Sequence, residues 1–174
     1  MILLLKQIFG FLKLLNSETG DSQLAAGLAL GLVMGFSPFL SLQTFLVILL
    51  LLFFRIQIGA AFISAFFFKL IAFLLDPICD ALGKEVLTAD GLRSLFVELY
   101  NMPLVPLTRF NNSIVMGSGI IGFILAIPAF FVFKVLIIKY RTSIVARYKS
   151  SKFWKLVQAT AFFKWYAKYE ELAG

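Results

Sequence analysis

Ser37, Ser41, Gln43 and Thr44 put four polar side chains beside Pro38 in a stretch that is otherwise apolar. Where a helix is interrupted, its backbone donors and acceptors are free and its dipole ends face the break, an arrangement that can bind ions or anionic groups. Lys69 is a further candidate, because an ammonium set inside an apolar helix must pair or snorkel to headgroups. Asp76 follows seven positions later on roughly the same helical face, and Asp80 lies within reach if it folds back. We take Ser37, Pro38, Ser41, Gln43, Thr44, Lys69 and Asp76 as candidate contacts for a lipid headgroup or a partner's membrane helix. The plainer alternative is that the polar residues only satisfy their own turn and Lys69 only snorkels.

Other chemistry has little to work with. The chain contains no histidine, which removes the commonest general base, metal ligand and pH switch. Cys79 is the sole cysteine and has no basic neighbour to activate it, so packing is its expected role. Catalysis would have to rest on Lys69, Asp76 or Asp80. The expectation is a protein without catalytic residues, metal or cofactor, and not an enzyme.

The elements that must position these residues follow from the charge pattern. From Ser22 to Phe54 the chain runs 33 residues without a charge. One helix of that length would measure about 50 Å, against a hydrocarbon core of roughly 30 Å. Gly35-Phe-Ser-Pro38 breaks the run near its middle, because Pro38 cannot donate a backbone hydrogen bond and disfavours helix at Ser37. Residues 22–54 are therefore predicted as a hairpin of two short helices, Gln23–Phe36 and Phe39–Phe54, that enters and leaves the membrane on one side.

A membrane helix is predicted over 58–75, ending near Asp76-Pro77. An outer amphipathic segment and loop follow over 80–112, with Gly91 as a soft point and prolines at 103 and 106. A second membrane helix is predicted over 113–134, since Ser113 to Phe133 is free of charge. Lys6 and Lys13 suit an interfacial helix over 1–16, or one packed on its own protein; that segment lacks signal-peptide features and is expected to be retained. The chain is 61% hydrophobic with 21 Phe, and its mean hydropathy is +0.96. These values predict one all-α, polytopic membrane domain spanning 1–174.

Two patterns bear on packing and sidedness. Gly27, Gly31 and Gly35 recur every four residues and, with Gly117, allow helix backbones to approach closely. From Lys134 to Lys168 there are nine basic residues and no acid. The positive-inside rule then puts both termini in the cytoplasm. Lys139, Arg141, Arg147, Lys149, Lys152 and Lys155, interleaved with aromatics, suit a helix over 139–170 lying on anionic lipid. Nucleic acid is not expected as a partner.

The sequence Ala26-Gly-Leu-Ala-Leu-Gly-Leu-Val-Met-Gly-Phe-Ser-Pro38, with Leu42-Gln-Thr44 and Arg55-Ile-Gln-Ile-Gly-Ala60 after it, resembles the bacterial membrane family known as domain of unknown function 2062. Many members of that family carry Asn-Pro where this chain has Asp76-Pro77. The loop Leu104-Val-Pro-Leu-Thr-Arg-Phe-Asn-Asn112 and the basic tail resemble a subgroup associated with large AsmA-like envelope proteins. The resemblance implies a phospholipid membrane and such an envelope protein as partners, and a share in moving lipid between membranes. An autonomous small lipid or solute transporter and a purely structural scaffold are the alternative readings.

Overall fold

The computed structural model describes residues 2–145, and among them it is entirely helical. Six α-helices run in order: α1 (Ile2–Leu15), α2 (Asp21–Phe36), α3 (Leu42–Phe53), α4 (Ile58–Thr88), α5 (Asp90–Asn101) and α6 (Ser113–Lys139). A 3-10 turn (Val105–Thr108) precedes α6 and a π-helical turn (Tyr140–Val145) follows it. The chain forms two compact units, one ending at Val135 and one beginning at Leu136. In the second, the described part is the end of α6 and the π-helical turn.

Local chemistry sets the break between α2 and α3. Ser37 precedes proline and adopts extended geometry, with φ −79° and ψ 149°, which ends α2. Ser41 is also extended and its hydroxyl accepts the Thr44 backbone N–H at 3.4 Å, capping α3. That cap delays α3 to Leu42, three residues later than the sequence pattern suggests. After α3, Arg55 takes a left-handed conformation, φ 51°. The N–H of Ile56 reaches Leu51 O at 2.9 Å and that of Arg55 reaches Leu52 O at 3.3 Å. This is a Schellman ending, with arginine where glycine is usual.

α4 departs from expectation. Instead of stopping near Asp76-Pro77 it continues through Pro77 to Thr88, absorbing the first nine residues of the predicted outer segment. Proline removes one backbone hydrogen bond, and close packing against α6 accompanies the continuation. A Cβ on Gly83 would collide with the Ser113 carbonyl and one on Gly117 with the Cys79 carbonyl, so the two backbones nearly touch. The Ser113 hydroxyl also bonds the Asp80 carboxylate. α6 likewise runs past its predicted end, through Pro128, to Lys139.

Small residues set the principal helix contact. A Cβ on Gly27 would stand 2.9 Å from the Ala60 methyl, one on Gly31 would strike the Ala61 carbonyl, and one on Gly35 would meet Phe68 Cβ at 2.6 Å. The paired numbers rise together, so α2 and α4 run parallel. Ser64 on α4 adds a hydrogen bond from its hydroxyl to Leu28 O at 2.6 Å. Val33, Met34, Val47, Leu51, Ala61 and Ala126 close a core around this seam. α1 packs along α4 in the opposite sense, with Gly10 against Ile63 and Leu14 against Gly59.

Two helices are long and apolar enough to cross a membrane, the one over Ile58–Thr88 and the one over Ser113–Ser143. Large side chains on their outer faces, among them Phe73, Leu74, Ile127 and Phe131, are exposed. Replacing Gly31 by leucine should destabilise the fold by about 1–3 kcal/mol, because the added side chain meets α4 backbone that cannot yield. Gly91→Ala, where a Cβ meets nothing within 4 Å, should be neutral or stabilising by up to about 1 kcal/mol. Thermal unfolding of the two detergent-solubilised variants checks both signs.

Candidate functional site

The end of α2, the cap of α3 and the middle of α4 converge on one pocket. Because α2 and α4 run parallel with the glycine stripe between them, the last carbonyls of α2 arrive beside Lys69. The Lys69 ammonium donates to the Ser37 carbonyl at 3.0 Å. A cation at the C-terminus of a helix satisfies an orphan carbonyl and complements the dipole. Among the described residues Lys69 has no carboxylate partner. The lysine thus retains donor capacity.

The break is organised around it. Thr44 donates through its hydroxyl to Pro38 O at 3.2 Å, and the Ser41 and Thr44 hydroxyls share a hydrogen bond at 3.2 Å. Ser37 is 0% exposed, yet its hydroxyl has no hydrogen-bond partner. A buried hydroxyl left unpaired costs about 1–3 kcal/mol. A cavity of about 370 Å³ opens here, with Gln7, Ser37, Thr44 and Lys69 as its polar lining and Phe39, Phe62 and Phe66 among its apolar walls. The tip itself is apolar and bare, with Phe39 77% and Leu40 73% exposed.

Not every candidate joins this group. Gln43 turns to α6, donating from Nε2 to Val115 O at 2.8 Å, while its Oε1 is buried without a partner. A Cβ on Gly119 would overlap the Gln43 side chain, so that glycine makes the space for it. Asp76 makes no hydrogen bond or ion pair among the described residues and stands two helical turns from Lys69. Asp80 does not fold back either; it bonds Lys84 at 2.6 Å and Ser113. Gly27, Gly31 and Gly35 face α4, and Gly117 faces Cys79. Cys79 is buried in that contact. Lys139 closes α6 and Arg141 lies in the π-helical turn. Arg147, Lys149, Lys152 and Lys155 lie outside the described residues.

Sequence reasoning missed Gln7 and Ser64. Gln7 had only its polarity within an apolar helix to mark it. Ala60, Ala61, Ser64 and Ala65 carried a stronger signal, a second run of small residues matching the glycine stripe of α2. Among the described residues no group of three His, Cys, Asp or Glu side chains is placed to hold a metal.

Residues 8–144 match the family described as an uncharacterized protein conserved in bacteria, DUF2062. The chain belongs to the DUF2062 family. The match takes in the hairpin, both long helices and the segment that joins them. A Treponema pallidum protein described as uncharacterized is 26% identical over 160 residues, covering 92% of this chain and 94% of its own length. No solved structure matches.

Gln43→Met is expected to change stability by less than about 1 kcal/mol, since it forfeits one hydrogen bond but also removes a buried unpaired oxygen. Val115 O keeps the Ser118 hydroxyl at 3.1 Å. A melting temperature close to that of the parent protein is the expected result.

Proposed function

We propose that this DUF2062 chain is a non-enzymatic subunit of the bacterial inner membrane that docks a larger, AsmA-like envelope protein and assists phospholipid transport between membranes. The observation that carries the reading is the pairing of a broken helical hairpin with an uncovered apolar platform at the other end of α4. The hairpin tip reaches Lys69, eleven residues beyond the start of α4, or about 16 Å along its axis. That is near half the thickness of a bilayer core of roughly 30 Å. A re-entrant hairpin with both ends on the cytoplasmic side fits this depth, and its bare Phe39 and Leu40 suit acyl chains rather than water.

The platform is α5 with the 3-10 turn. α5 has no buried residue. Beside it Leu104 and Leu107 are each 75% exposed. Leu104 and Arg109 flank the turn in left-handed conformations, φ 73° and 57°. Left-handed geometry costs a non-glycine residue roughly 1–2 kcal/mol, a strain that tends to persist where it holds side chains out for a purpose. The basic residues after Lys134 favour a cytoplasmic C-terminus, which sets this platform on the outer face with an envelope partner. DUF2062 membership and the subgroup resemblance of the 104–112 loop add to this reading. The chain has no histidine, and Cys79 is buried, which favours a binding role over catalysis.

Native-level purification is expected to bring down a larger envelope protein, and Leu107→Asp, a surface change, to release it with the melting temperature unchanged. A clean monomer or homodimer from the parent protein would defeat the docking role. Cells carrying the variant should show slowed phospholipid delivery to the outer membrane, measured by pulse labelling.

A further inference from the structure

We infer that the Lys69–Ser37 pocket binds the phosphate of a phospholipid, drawing its headgroup below the membrane surface beside the hairpin tip. This deepens the proposed function by naming the ligand chemistry of the same hairpin, and it rests on that reading only for the pocket's depth. Three observations converge. Lys69 uses one acceptor, Ser37 O at 3.0 Å, and offers its remaining N–H groups to the cavity. Ser37 lines the same cavity, and its buried hydroxyl has no hydrogen-bond partner, so a donor is in place that the protein itself does not use. Gln7, on α1, also lines the cavity.

An ammonium, a hydroxyl and an amide around one space suit an anion with several acceptor oxygens, and lysine is a regular phosphate binder. The cavity of about 370 Å³ is at the small end of the roughly 300–1,000 Å³ typical of ligand pockets. It holds a phosphoester head and cannot enclose a two-chain lipid. Phe39 and Phe62, both exposed at the rim, offer the acyl chains an apolar path outward. A partner's membrane helix, about 10–12 Å across, is too wide to enter, although a carboxylate on such a helix would compete for the same charge.

The test uses the purified full-length protein in detergent, probed by native mass spectrometry with phosphatidylglycerol, with diacylglycerol of the same chains, and with inorganic phosphate. Phosphatidylglycerol should bind and diacylglycerol should not. Lys69→Met should weaken phosphatidylglycerol binding about tenfold to hundredfold, the loss of a charge-assisted bond, and Lys69→Arg should restore most of it. Lys69 also caps α2, so Ser37→Ala provides the second arm: it removes an unpaired hydroxyl, so the melting temperature should hold or rise while phosphatidylglycerol binding falls. A hydroxyl with only a structural role would not separate the two readouts.

Diacylglycerol binding as well as phosphatidylglycerol overturns the proposal, and so does inorganic phosphate binding without the phospholipid. Lys69→Met that leaves lipid binding intact but releases a co-purifying membrane protein overturns it in favour of a partner's carboxylate. Loss of the companion in Leu107→Asp with lipid binding unchanged leaves the pocket standing. Ser37→Ala with phosphatidylglycerol binding unchanged overturns the pocket, whereas weakened binding with no delivery defect in the cells leaves the pocket and removes the transport role.

Discussion

Gly27, Gly31 and Gly35 let the backbone of α2 lie against α4 at a distance that no side chain would permit, and the arrangement of the pocket follows from that approach. Between apolar helices in lipid there is no hydrophobic drive to associate, so close van der Waals packing and interhelical hydrogen bonds must supply it. The glycines maximise the first, and Ser64 to Leu28 O supplies the second at 2.6 Å. A four-residue repeat on α2 facing small residues at the same spacing on α4 also sets the register. That register brings Lys69 level with Ser37.

At that level the chain solves one electrostatic problem with another. An interrupted helix leaves carbonyls without donors, and a lysine set in an apolar helix needs a partner for its ammonium. Directing Lys69 at the Ser37 carbonyl meets both needs. Ser41 and Thr44 close the rest of the turn among themselves. The Ser37 hydroxyl is the piece this arrangement leaves over, buried and unpaired. It is not needed to form the turn, which makes it informative about what the turn is for.

A second contact of the same type appears further along α4, where Cys79 and Gly83 meet Gly117 and Ser113. Here the numbers run in opposite order, so α4 and α6 are antiparallel. This contact carries α4 past Pro77 and delivers α5 and its turn well away from the hairpin. The exposed apolar platform and the pocket therefore sit at different heights on one continuous helix.

The break at Pro38 and the small-residue stripe of α2 could be read from the sequence because each rests on local stereochemistry: proline lacks a donor and glycine lacks a Cβ. The fate of Pro77 could not. Its local preference points to a helix end, and only contact with α6 shows the helix continuing. Asp76 and Lys69 share a face by spacing, yet the lysine is bound by a carbonyl 32 positions away in the chain. Gln43 and Ser37 read alike as polar residues near a turn, but one reaches α6 and the other is enclosed in the pocket. Sequence by itself determined where the chain breaks and which faces pack, since backbone geometry and residue size act locally. Which polar atoms meet, and which one is left without a partner, only the tertiary structure decided, because that depends on the register between helices distant in sequence.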